Sequence, residues 1–185
     1  MRRENAMLGL GILILFLLHG IAGAFQLFGV FPGGKAWFSR VSWALLALLA
    51  VHALISLKLT WDSIQIGRRT GVWYFRENML FWIRRISGLA ILLFAVCHLL
   101  IFLGDSSGAS YRLQLFAEPQ LLTQILLVIT IAVHLLTNFR PLLISFGIFG
   151  FRIYVKDLLL ILAVVLFFLA AAFVFYYMRW NLIWR

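Results

Sequence analysis

The chain has 185 residues, 64% of them hydrophobic and 12% charged, against roughly 45 to 50% apolar residues in soluble domains. With a mean hydropathy of +1.04 it reads as an all-α membrane protein rather than a soluble enzyme. The formal net charge of +10 would suit a nucleic-acid binder, but the basic residues are distributed between apolar runs and not gathered into one patch. Cys97 is the only cysteine, which excludes intramolecular disulfides, cysteine-cluster metal sites and a Cys-x-x-Cys-His motif for covalent haem.

Apolar stretches of about 20 residues, the length that crosses a hydrocarbon core of about 30 Å, predict five transmembrane helices at 7–29, 41–60, 79–103, 120–139 and 155–178. The first follows a short basic segment, yet it shows no small-residue cleavage site and His19 interrupts its apolar core, so it is expected to be retained. "GVFPGGK" reads as a short turn before the second span, and 61–78, mixing aromatic with basic residues, as the longest connection. "DSSGAS" opens the next loop, which Pro119 closes. Residues 141–152 are apolar but broken by Pro141, Gly147 and Gly150, and are expected to form an interfacial connection.

With the N-terminus inside, eleven basic residues fall on the cytoplasmic side and five, Lys35, Arg40, Arg112, Arg179 and Arg185, outside. That bias predicts an N-in, C-out topology. Trp37, Trp43, Trp61, Trp82 and Trp180 stand near span ends, where an aromatic belt lies.

All four histidines lie inside spans, one on each of the first four helices. Gly9 and His19 are spaced like Gly88 and His98, while "VHALISLK" (51–58) and "VHLLTNFR" (133–140) share a Val-His and a basic residue six positions later. Residues 7–60 and 79–140 therefore form a divergent internal repeat of two helix pairs, to which a fifth helix is added in a single transmembrane domain. Both units begin on the cytoplasmic side, so they should lie parallel about a pseudo-two-fold axis along the membrane normal. His19 should then face His98, and His52 should face His134. At 1.5 Å per residue, His98 and His19 stand about 20 Å above Arg85 and Asn5, and His52 and His134 about 9 Å from Lys58 and Arg140. Those heights give two levels roughly 11 Å apart.

A lone intramembrane histidine commonly only bridges helices by hydrogen bonding, whereas ionisable groups within spans are functional candidates. Four of them at two matched depths favour function. Two imidazoles facing across a gap supply the two axial ligands of a haem iron, so two pairs imply two haems. Gly9 and Gly88, near the level of the second pair, would let a porphyrin approach the backbone, or else mark close helix contact. Propionates would find Lys58, Arg140, Arg85 and Ser87 toward the inside and Lys35, Arg40 and Arg112 toward the outside, although each cation also suits simple snorkelling at a span end. Cys97 reads as a small packing residue. No span carries a carboxylate at mid-depth, which weighs against a proton-driven transporter. Nor is there a nucleophile-base arrangement or a phosphate-binding glycine loop, so any chemistry belongs to bound cofactors.

"RRISGLAILLFAVCH" followed by "VHLLTNFRPLL" resembles the Arg-x-Ser-Gly and His-x3-Gly-x-Arg signatures of succinate dehydrogenase and fumarate reductase membrane anchors. The layout is similar to the single-subunit dihaem cytochrome b type, over nearly the whole chain. The resemblance implies that His19 and His98 ligate a distal haem b and His52 and His134 a proximal one. It also implies a flavoprotein subunit, an iron-sulfur subunit docked on the cytoplasmic face, menaquinone as electron carrier, and a bacterial cytoplasmic membrane; the basic and aromatic segment 61–85 is the expected docking surface, unless it reflects ordinary charge asymmetry alone. Asn138 stands where the signature has glycine. Ala132 stands where some fumarate reductases carry a glutamate linked to proton movement, so that pathway is not carried over. Some members use an outer glutamate near the second span at the quinone site; here Asp105 or Glu118 would have to serve, unless both are solvated loop carboxylates.

The expected function is electron transfer between menaquinone and a cytoplasmic succinate or fumarate oxidoreductase, with no dicarboxylate site in this chain. Competing readings are the haem b subunit of a formate dehydrogenase or hydrogenase, which often places two ligands on one helix, and a haem-free transporter or scaffold.

Overall fold

The computed structural model describes residues 2–32, 36–71, 78–103, 116–147 and 152–183. It contains five long helices, α1 (Arg2–Leu27), α2 (Ala36–Thr70), α3 (Met79–Phe102), α4 (Glu118–Ser145) and α5 (Arg152–Met178), with a π-helical turn at Arg179–Ile183. There is no strand among the described residues. Each expected span corresponds to one helix, and all five are long and apolar enough to cross a membrane. Helices of this kind satisfy every interior peptide group within the segment, which an apolar surrounding demands. Large apolar side chains such as Leu54, Leu100 and Phe167 point outward, as lipid contact allows.

Two helices run past their expected ends. α2 continues through 61–70, where a connection was expected, and stops at Gly71, whose φ of +67° no helix interior accepts. At 35 residues it is about 52 Å long, well beyond a hydrocarbon core of about 30 Å. Its continuation has no proline and only one glycine, Gly67, so nothing in it breaks the helix.

α4 carries Pro141 within it and ends only at Ser145, where an interfacial break was expected. Proline lacks the N–H that would bond the carbonyl four residues back, which here belongs to Thr137. That carbonyl accepts a hydrogen bond from Arg84 Nε of α3 at 2.9 Å instead. A side chain from the neighbouring helix thus satisfies the group that proline frees, and the helix persists. At the other end of α4, Pro119 occupies the first turn and the Gln120 side chain accepts from the Ala117 N–H.

The contacts fix how the helices are arranged. α1 packs on α2, α3 on α4, α1 on α4, and α5 lies against α1 and α4. Ser42 of α2 meets His19 while His52 of α2 lies beside Gly9, so α1 and α2 are antiparallel. Gln124 meets His98 and His134 lies beside Gly88, so α3 and α4 are antiparallel in the same way. Going round the four-helix unit the order is α2, α1, α4, α3, which puts α1 opposite α3 and α2 opposite α4. Between α2 and α3 contact is slight, one link being the Arg85 Nη1 bond to the Ser56 carbonyl at 3.3 Å.

The tightest packing is at the α1, α4 and α5 seam, where Ala24, Leu27, Val128, Leu166, Leu169 and Ala172 are buried. α2, by contrast, buries no residue. The interior between the two helix pairs is left as a cavity.

Candidate functional site

All four histidines line one cavity of 650 Å³ walled by α1, α2, α3 and α4, with Leu169 and Phe173 of α5, a size within the roughly 300 to 1,000 Å³ of cofactor and ligand pockets. His19 and His98 face each other across the α1 to α3 diagonal, with ring centres 6.0 Å apart and planes at 75°. His52 and His134 come from the other diagonal and line the same cavity. One turn of α1 and one of α3 open the lower level: Gly9 lies beside His52, and a Cβ placed on Gly88 would stand 3.4 Å from His134 Cε1. The glycines make room for the imidazoles themselves.

Gly9 and His19 are ten residues apart, a rise of about 15 Å, larger than the 11 Å reckoned from span ends. Side chains on a helix tilt toward its N-terminus. His19 and His98 therefore tilt down and His52 and His134, on antiparallel helices, tilt up, which brings the ring levels closer than the backbone positions.

The hydrogen-bond partners favour a proton on Nδ1 in three of the four rings. Ser42 Oγ donates its hydrogen to the Phe38 carbonyl at 2.8 Å and lies 3.0 Å from His19 Nδ1. Its one hydrogen is spent, so it accepts from His19 Nδ1–H. Ser87 Oγ likewise donates to the Arg84 carbonyl at 3.2 Å and accepts from His134 Nδ1–H at 3.1 Å. Gln124 Oε1 lies 2.7 Å from His98 Nδ1, with its amide oriented by the bond from Nε2 to Thr123 Oγ1. An amide oxygen can only accept, so the proton is again on Nδ1. In each ring the lone pair is left on Nε2. His52 Nδ1 is the exception, buried without a hydrogen-bond partner.

Aromatic rings hold the upper level in place. Phe38 stacks on His19 at 4.9 Å and Phe102 lies 4.8 Å from His98. At the lower level Asn138 Nδ2 donates to the His134 carbonyl at 2.8 Å.

The expected cations separate. Arg85 lines the cavity, half-buried, with Nη1 on the Ser56 carbonyl, its guanidinium 5.0 Å over the Phe81 ring and Nε without a partner. Arg84 lines it too. Lys58, Arg140 and Arg40 are exposed and do not line it. Glu118 is exposed in the first turn of α4, accepting from Tyr177 Oη at 3.4 Å. Asp105, Lys35 and Arg112 lie outside the described residues.

The sequence reading passed over Ser42 and Gln124. Ser42 stands ten residues before His52 and Gln124 ten before His134, each a polar group in an apolar run, and that shared spacing is the signal that would have found them. Gln124 is 0% exposed. Among the described residues no three metal-binding side chains cluster; His19 and His98 meet as a pair. No protein-family model, curated protein or solved structure matches the chain, so what this site can do rests on its own residues.

Proposed function

We propose that the chain is a dihaem b-type membrane anchor, passing electrons between menaquinone and the iron-sulfur subunit of a cytoplasmic succinate dehydrogenase or fumarate reductase. The observation that carries the haem reading is the set of three imidazoles at one cavity whose Nδ1 is hydrogen-bonded to Ser42, Ser87 or Gln124, which would leave Nε2 for a metal. A metal-binding histidine is held in this way, its second nitrogen donating to a carbonyl or similar partner that fixes tautomer and ring orientation.

Ligand count points to haem rather than to a bare ion. Structural zinc takes four protein ligands, whereas a haem iron asks the protein for axial ligands only, and each level offers two. The spacing agrees: two metal-imidazole bonds of about 2.0 Å, end to end, put ring centres about 6 Å apart, as found for His19 and His98. His19 and His98 would hold one haem, and His52 and His134 the other, stacked along the bundle. Arg85, with an unpartnered Nε at the cavity wall, would take a propionate. Haem supplies reversible one-electron exchange when bound; the chain's part is to ligate, orient and keep water out.

The assignment to a succinate or fumarate enzyme rests on the sequence signatures, as do the N-in, C-out orientation and the docking of the iron-sulfur subunit on the cytoplasmic face. Single histidines on separate helices also favour it over the formate dehydrogenase and hydrogenase type. The test is a reduced-minus-oxidised spectrum of the purified chain with a haem count. Two b-type haems per chain are expected, one lost on replacing His19 or His98 and the other on replacing His52 or His134. A wild-type chain without reducible b-type bands would falsify the haem reading, and co-purified catalytic subunits would identify the enzyme.

A further inference from the structure

The two repeats hold their upper histidines alike and their lower ones differently. Ser42 and Gln124 occupy matched positions, and each accepts from the Nδ1–H of an upper histidine. At the lower level Ser87, immediately before Gly88, holds His134, but the residue immediately before Gly9 is Leu8, which has no polar atom to offer. His52 Nδ1 is accordingly orphaned.

A second orphan lies nearby. Asn5 Oδ1 is buried without a partner, and Asn5 lines the same cavity as His52. Asn5 stands four residues before Gly9, as Arg84 stands four before Gly88. Gly9 lies beside His52 as Gly88 lies beside His134, so the two sites share one frame. An unpartnered buried acceptor and an unpartnered buried imidazole nitrogen each forfeit a hydrogen bond whose absence is costly, and the two stand on the wall of one cavity.

We infer that Asn5 is the positioning residue of His52: its Oδ1 accepts the Nδ1–H of that imidazole, doing from one turn earlier what Ser87 does for His134. All four rings then have the proton on Nδ1 and the lone pair on Nε2. The hydrogen bond itself stands without a cofactor; its role in setting a haem ligand rests on the function proposed above. Arg85 Nε is the rival donor for the same oxygen, being the third buried unpartnered atom of the described residues. Its Nη1 is engaged on α2 at Ser56, however.

The experiment uses the full chain, purified in detergent, labelled with ¹⁵N-histidine and reduced with dithionite so that any bis-histidine haem is diamagnetic. His52 is assigned by loss of its signals in His52→Gln. In the wild type its Nδ1–H proton should resonate downfield, in the hydrogen-bonded range. Asn5→Leu should move that resonance upfield and leave those of His19, His98 and His134 in place. Asn5→Asp, which keeps and strengthens the acceptor, should move it further downfield. In redox titrations the same two variants should shift one midpoint potential in opposite directions, upward for Asn5→Leu and downward for Asn5→Asp, because a stronger acceptor makes the ligand more basic. An unchanged His52 resonance in Asn5→Leu would overturn the inference and leave the oxygen to Arg85. So would a common displacement of all four histidines in both variants, since Asn5 would then be only a packing residue. A wild-type chain lacking b-type bands defeats the haem reading, and the nitrogen resonances still decide Asn5.

Discussion

A buried imidazole is tolerable here because each of three rings gives its Nδ1 proton to a group that has no other use for it. Ser42 and Ser87 have directed their own hydrogens to helix carbonyls, and Gln124 presents an oxygen. Removing such an acceptor leaves a buried N–H unsatisfied, at a cost of about 1 to 3 kcal/mol. Gln124→Leu should therefore lower thermal stability in detergent by about that amount and weaken the binding of one of the two proposed haems. Ser42→Ala, at a less buried position, should do less on both measures. The glycines allow a finer comparison. A methyl at Gly88 meets His134 Cε1 at 3.4 Å, whereas one at Gly9 has 4.0 Å to His52 Cε1. Gly88→Ala should displace its imidazole slightly and shift one midpoint potential, while Gly9→Ala should leave both unchanged in a redox titration. Gly29 is constrained differently: φ is +79° and Arg179 Nη1 lies 2.6 Å from where its Cβ would be, so any side chain there would be strained and would dislodge the arginine.

Among the elements, α4 shows how a local penalty is offset by a neighbour. Pro141 frees the Thr137 carbonyl and Arg84 occupies it, three residues from His134. A hydrogen bond from a charged donor contributes about 1.5 to 3 kcal/mol, so Arg84→Met should destabilise the chain by an amount in that range. In a Pro141→Ala background the restored backbone N–H competes for the same oxygen, and the cost of Arg84→Met should fall by about 1 kcal/mol or more. A double-mutant cycle on thermal or chemical unfolding in detergent measures the difference; equal costs in the two backgrounds would show that the two groups do not share the carbonyl. The extension of α2 through Thr70 makes a related point. Its basic last turn, with Arg68 and Arg69, complements the negative end of the helix dipole and carries charge beyond the apolar span.

For the whole molecule, the neighbour order α2, α1, α4, α3 makes both histidine pairs diagonal, and α5 fills the outer flank of α1 and α4. Two helix pairs of like direction, with like residues at like depths, leave a cavity that neither pair could close alone. The proposed N-in, C-out orientation has its own test. In a Cys97→Ala background, an impermeant thiol reagent applied to intact cells should label Leu182→Cys and spare Ser63→Cys, and inverted vesicles should give the opposite pattern. Both positions are exposed. Labelling of Ser63→Cys from outside would reverse the topology and the expected face for the iron-sulfur subunit.

The number and placement of the helices were legible in the chain, because apolar length against hydrocarbon thickness is a local property. So was the opposition of His19 to His98, because equal spacings from the span ends put the two at like heights. The ends of α2 and α4 were not legible. Proline and the polar run after residue 60 weaken a helix locally, and only a side chain on another helix, Arg84, restores what Pro141 removes. The acceptors Ser42, Gln124 and Ser87 became partners of histidines 23, 26 and 47 residues away only once the helices were packed. Sequence alone determined which residues lie at which depth. Tertiary structure decided which of them touch, because a hydrogen bond between helices depends on their rotation and separation, and neither is written in a linear spacing.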